Sequence, residues 1–332
     1  MTTHQHPHLH ELVTASPTLG WLGADHVVGA PHRPLRLLAW LMAASTLVCL
    51  VGIVVDDRQL LGLNIWDKPL KFSISVLIYA VTWSWLIDRL QRFRRVAWWA
   101  GTVATLGLAG EMVVIIGQTV RGETSHFNVT TPLNTALWGA MAMMIAAVWV
   151  ASLIVCALLF RNPSADPAQV WAIRGGALLS VVGMALGMLM TTPTEAQLSS
   201  ETMDVVGAHT VGLADGGPGL PVLGWSTVGG DLRIPHFIGM HALQALPLLL
   251  IVLELLSRRV AVLTDPTVRR RLVQVFGAAY TALIGLVVWQ ALRGQSVVNP
   301  DQWTLLVGTA LVVCAIGAAG LALRRPRVTL AA

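Results

Sequence analysis

Glu111 stands in an otherwise apolar stretch, where a carboxylate costs about 2.5 to 3.5 kcal/mol on insertion scales and must face protein or water. It is the first candidate for a catalytic or proton-carrying group. Gln118 follows seven residues later, about 20° away around a helix, with Ala104 and Ile115 on the same stripe. The stripe climbs toward Arg121 and His126. A second polar set is His236, His241 and Gln244, in which the two imidazoles diverge by about 140° with Gln244 between them. Spacing i, i+5 is poor for a zinc pair, whereas an axial haem ligand needs one imidazole per helix. His126, His236 and His241 are therefore candidate ligands of haem or a transition metal. Asp231 and Arg233 join Glu111 as catalytic or substrate-orienting groups. Gln118, Arg121, Gln244 and Gln290 mark a substrate or proton path. The plainer alternatives are a protonated Glu111 bonded to a neighbouring helix and histidines that are structural donors.

The elements that must hold these residues are set by composition. The 332 residues are 55% hydrophobic and only 12% charged, too little charge to wet the surface of a soluble domain this size. The apolar residues come in blocks of roughly 20, the length a helix needs to cross about 30 Å of hydrocarbon. Spans are expected near 36–55, 70–87, 97–119, 134–160, 169–191, 236–256, 272–292 and 303–323. The fold class is thus all-α, a polytopic membrane helix bundle of about eight transmembrane helices whose main partner is the lipid bilayer. No cleavable leader is expected. Residues 1–33, with six of the ten histidines, read as a disordered cytoplasmic tail, 34–328 as a single transmembrane domain and 329–332 as a tail. Cys49, Cys156 and Cys314 fall in different spans and are expected to be free thiols packed as small hydrophobes.

Fifteen of the basic residues lie in alternate connections that include both chain ends, and six in the others. That bias puts both termini in the cytoplasm of a bacterial inner membrane. It also accounts for the pI of 9.7, so nothing supports a nucleic-acid partner. Residues 192–235 form a long outer segment in which the pieces 205–212 and 219–230 are too apolar for a solvated linker and too short to cross. It is expected to fold over the outer mouth as a lid or re-entrant segment, the plainer alternative being an ordinary exposed loop.

Gln118 to Gly122 matches Gln290 to Gly294, and the stretch from Asp67 to Phe72 loosely matches that from Asp231 to Phe237. Two tandem four-helix halves, 34–162 and 163–328, would explain both. The segments Trp66 to Ser73, Glu111 to Asn128 and Gly229 to Gln244 resemble a family of uncharacterised bacterial multi-pass membrane proteins over residues 60–260. The resemblance implies that these segments form one site and carries no activity. Three functions stay open: a redox or hydrolytic protein holding haem or a metal, a secondary transporter of a small solute or protons, and a non-catalytic subunit or sensor.

Overall fold

A computed structural model describes residues 31–164 and 166–324. The chain forms an all-α bundle with eight helices long and apolar enough to cross a membrane. They are α1 Arg33–Val55, α2 Asp67–Asp88, α3 Arg94–Arg121, α4 Pro132–Arg161, α5 Pro167–Leu186, α7 Arg233–Ser257, α8 Pro266–Leu292 and α9 Gln302–Ala322. The single-turn helix α6, Glu195–Leu198, lies in the connection between α5 and α7. Two small hairpins complete the fold, β1 Gln59–Leu60 with β2 Leu63–Asn64, and β3 Thr210–Val211 with β4 Gly230–Asp231. The eight spans match the expected blocks. The largest difference is α8, which begins at Pro266, with Asp265 capping it, so Arg269, Arg270 and Arg271 belong to the helix.

Local chemistry explains several starts. Thr131, Asp166, Asp265 and Asp301 each accept a hydrogen bond from a first-turn amide of α4, α5, α8 and α9, and Pro occupies the opening positions of the first three. At the start of α1 the cap is His32, which is buried and bonded through its amide to Asp88. The end of the expected tail is therefore part of the bundle. The rest of that tail, from His4 to His26, and residues 325–332 lie outside the described residues. Helices α2 and α7 have no side-chain cap on their preceding residues, and each has Pro as its third residue, Pro69 and Pro235.

Packing follows one pattern twice. α1 lies along α2, α2 against α3, α3 against α4 and α1 against α3; in the same way α5 lies along α7, α7 against α8, α8 against α9 and α5 against α8. α4 and α5 join the two sets. The turns after α3 and α8 correspond as well: Gln118 donates to the carbonyl of Thr124 at 3.2 Å and Gln290 to that of Ser296 at 2.9 Å. Between each pair lies a left-handed glycine, Gly122 at φ 74° and Gly294 at φ 69°.

The tightest helix contact is α5 on α7. Ala168, Ala172, Gly176, Ser180 and Gly183 give α5 a stripe of small residues that lets the backbones meet. A Cβ on Gly183 would lie 2.2 Å from the carbonyl carbon of Gly239. Elsewhere the core is aliphatic and aromatic, built on Leu35, Leu38, Trp83, Met112 and Met141. Outward apolar side chains such as Trp40 and Ile316 are exposed to the bilayer region, as is Cys314, whereas Cys49 and Cys156 are buried. The expectation that all three thiols are packed inside thus fails for Cys314, because α9 touches the bundle mainly through α8 and turns most of its surface outward.

Replacing Gly183 by Val places side-chain atoms where backbone now sits. Thermal unfolding in detergent should show a loss of about 1 to 3 kcal/mol or more, while Gly117→Ala, which has nothing within 4 Å of the new Cβ, should leave the midpoint unchanged.

Candidate functional site

A cavity of about 1810 Å³ opens between the two helix sets, on the face that carries the long α5–α7 connection, here the loop face. It exceeds the usual 300 to 1,000 Å³ of a small-molecule pocket. Its deep walls are apolar, with Ile78, Tyr79, Trp149 and Met184 among them. Where the two sets meet, Leu243 and Val181 join the core of the first four helices. Two hydrogen bonds tie the sets together there: Gln244 donates to Thr82 Oγ1 at 3.0 Å, and Trp149 Nε1 to the carbonyl of Val181 at 3.1 Å.

Glu111 is 1% exposed and lines this cavity. On its face of α3, Ala104, Leu108, Ile115 and Gln118 are also buried, as spacings of three and four require. Its Oε1 lies 3.5 Å from His126 Nε2, and its Oε2 has no hydrogen-bond partner among the described residues. His126 reaches Glu111 although α3 runs on for ten residues, about 15 Å, beyond that carboxylate. The chain turns back at left-handed Gly122, and Phe127 also adopts φ 63°, a strained conformation for a bulky residue. Phe127 is held there by ring contacts to Trp138 and His209, at 5.1 and 4.8 Å between centroids. Burial holds the His126 imidazole well below its ordinary value, with Lys68 and His209 adding to the effect. His126 therefore presents a neutral ring to Glu111. Nδ1 lies 3.1 Å from Ser125 Oγ, and in the tautomer in which Nδ1 accepts from that hydroxyl Nε2 carries the hydrogen toward the carboxylate.

The long connection folds over the cavity mouth. Val206 donates to the carbonyl of Phe127, Ala208 to that of Met190 and Leu232 to that of His209, each at 2.9 Å. His209 and Asp215 anchor it, with Nδ1 2.6 Å from Oδ2 and the amides of His209 and Thr210 donating to the same carboxylate. Burial alone would raise Asp215, but these contacts outweigh it and hold the group below the usual carboxylate range.

Sequence reasoning missed Lys68 and Lys71, which enter the cavity from the first turns of α2. Lys71 donates to the carbonyl of Leu223 at 2.8 Å, and Lys68 donates no hydrogen bond to the described residues. A cation in the first turn opposes the helix dipole by about 0.3 to 1 kcal/mol, and that mismatch was the available signal. Arg233 also lines the cavity from the start of α7, oriented by Asp231 through Nε at 2.9 Å and Nη2 at 2.6 Å. Asp231 itself is buried under the hairpin and accepts from Ser226, so it positions Arg233 and does not line the cavity.

The remaining sequence candidates divide. His241 and Gln244 line the cavity as neighbours, His241 Nδ1 being 3.2 Å from Gln244 Oε1, and His241 Nε2 is buried without a partner. His236 also lines it, yet its Nδ1 is engaged by the carbonyl of Gly183 at 2.8 Å. Among the described residues no group of three His, Cys, Asp or Glu is arranged to hold a metal ion. Gln118 is saturated by Thr124, Asn134 and Arg121, and Gln290 is bonded to Ser296. These side chains, with Arg121, brace the turns after α3 and α8 and stand outside the cavity lining. Compared with protein families, curated proteins and solved structures, the chain matches none.

His126 provides a pH test. Its folded value lies below the ordinary 6.5, so the unfolded chain takes the proton more readily. Its contribution is fully present above pH of about 6.5 and is lost as pH falls below that, by up to about 1.4 kcal/mol per unit. The thermal midpoint of the wild-type protein should fall between pH 7 and 5, and His126→Gln should flatten part of that slope.

Proposed function

We propose that the protein is a secondary carrier in which an amphipathic small molecule enters the intramembrane cavity from the loop face and its binding is coupled to a proton on Glu111. The observation that carries this reading is a buried carboxylate with one oxygen unpartnered on the wall of a large, mainly apolar cavity between two helix sets. A carboxylate so placed exchanges protons because neither charge state is fully satisfied by its surroundings. His126 and Gln244 are the polar contacts along its path, and Arg233 and Lys68 face the mouth.

The repeated packing pattern supports a tandem duplication into halves 34–162 and 163–328, related by an axis along the membrane normal. Carriers built of two such bodies move by rocking one against the other around a central site. The basic bias of the connections opposite the long segment supports placing the loop face outside and both termini in the cytoplasm of a bacterial inner membrane. A haem-binding protein is the second reading. It draws on His241, whose Nδ1 is oriented by Gln244 while Nε2 is left open, as in an axial ligand.

Two measurements test these statements. In proteoliposomes, Glu111→Gln should abolish proton-coupled uptake while leaving the protein inserted, and unimpaired coupling in that variant would sink the carrier reading. A Soret band in wild-type protein that disappears in His241→Ala would put the haem reading first. For orientation, a membrane-impermeant thiol reagent applied to intact cells of a cysteine-free background should label a cysteine at 213 and spare one at 259. The reverse pattern would invert the topology.

A further inference from the structure

The polar end of the cavity has an uneven set of partners, and this identifies the occupant. Three cations, Lys68, Lys71 and Arg233, project into it from the amino-terminal turns of α2 and α7. Neither helix start has a side-chain cap on its preceding residue, so the positive ends of two long dipoles add to those charges. The carboxylates opposing them are mostly committed. Asp231 is held by Arg233 and the Ser226 amide, Asp215 by His209 and the Thr210 amide, and Glu123 by Asn128; Asp67 lies one helical turn before Lys71, and Glu195 and Asp204 on the same lining are solvent-exposed. That leaves Lys68 with no hydrogen bond among the described residues, and the carboxylates whose charge acts on it are Glu111 first and Asp215 second. Glu111 lines the same cavity as Lys68, has His126 Nε2 3.5 Å from its Oε1, and leaves Oε2 unpartnered.

We infer that the cavity takes a long-chain amphiphile with a single oxyanion head, a carboxylate or a phosphate monoester, and that Glu111 gains one proton as the head settles on Lys68 and Lys71. The inference rests on the carrier reading above and specifies its substrate. An anion on Lys68 removes the charge that stabilises ionised Glu111, and the two anions cannot share the site without repulsion. Glu111 therefore binds a proton drawn from water at the loop face. Its open oxygen then becomes an O–H donor to the head group, and His126, neutral in its buried place, keeps Oε1 occupied. The tail lies along Ile78, Tyr79 and Trp149 toward the closed end. Net charge transferred per cycle is one anion with one proton, so transport is electroneutral for a monoanionic head.

The test uses full-length protein in detergent, stripped of lipid, with dodecanoate, dodecyl phosphate, dodecanol and phosphatidylglycerol as separate probes. Dodecanoate or dodecyl phosphate should bind about tenfold or more tightly than dodecanol. Lys68→Gln should remove that preference, and about one proton per anion should be taken up in weakly buffered solution by the wild type and none by Glu111→Gln. Lys68→Arg should restore the preference, which separates charge from folding. Dodecanol binding as tightly as both anions, or proton uptake persisting in Glu111→Gln, overturns this inference while leaving the cavity as a site for neutral amphiphiles. Tightest binding of phosphatidylglycerol would also overturn it, assigning the cavity to a bilayer lipid. Failure of every probe to bind overturns the carrier reading as well.

Discussion

The organisation around the cavity depends on placing Glu111 inside the bundle, buried from lipid yet on the wall of a cavity. An intramembrane carboxylate needs protein on most sides, and α3 supplies this by setting Glu111 on the face that Ala104, Leu108 and Ile115 bury. It also needs polar neighbours. His126 is brought down from the α3–α4 turn and Lys68 is placed at the start of α2, each against a local preference: a left-handed phenylalanine in one case, a cation at the positive end of a helix in the other. Local cost accepted on two separate elements for the same carboxylate is the pattern expected where a site, and not stability alone, has shaped the sequence.

Much of the architecture was legible because a bilayer imposes few solutions. Length and hydropathy fix the eight spans but not their ends: α8 begins at Pro266, before the expected 272, because its first turns carry the charged Arg269, Arg270 and Arg271. The site was less legible, for a definite reason: its contacts come from segments that are not periodic. Glu111, His241 and Gln244 stand out as polar residues on apolar helices, and all three line the cavity. His126 was recognisable as a candidate but not as the neighbour of Glu111, since nothing in helical spacing reports a turn that doubles back. Lys68 and Lys71 are hidden because, in sequence, a basic residue at a span end has the same pattern as one that marks topology.

The glutamines are instructive in another way. Gln118 to Gly122 resembles Gln290 to Gly294 in sequence, and the structure gives both segments the same geometry, an amide side chain spanning a left-handed glycine to a carbonyl six residues on. A shared motif identifies equivalent turns, and its two glutamines stand outside the cavity lining. Under the tandem arrangement we propose, polar conservation between the halves would mark common construction, whereas Glu111 and His126, without counterparts in α8 and its turn, would mark what the halves do differently.

The approach of Gly183 to Gly239 has a mechanical consequence. Two backbones in contact over glycine have no flexible side chains between them to absorb sliding, so α5 and α7 behave as one stiff beam. The other wall, α2 and α4, is joined to that beam near the deep end by separate, replaceable hydrogen bonds, Gln244 to Thr82 and Trp149 to Val181. The cavity is thus a hinge with one rigid leaf, and any change in its width must be taken up by α2 and α4 swinging about a fulcrum at its closed end.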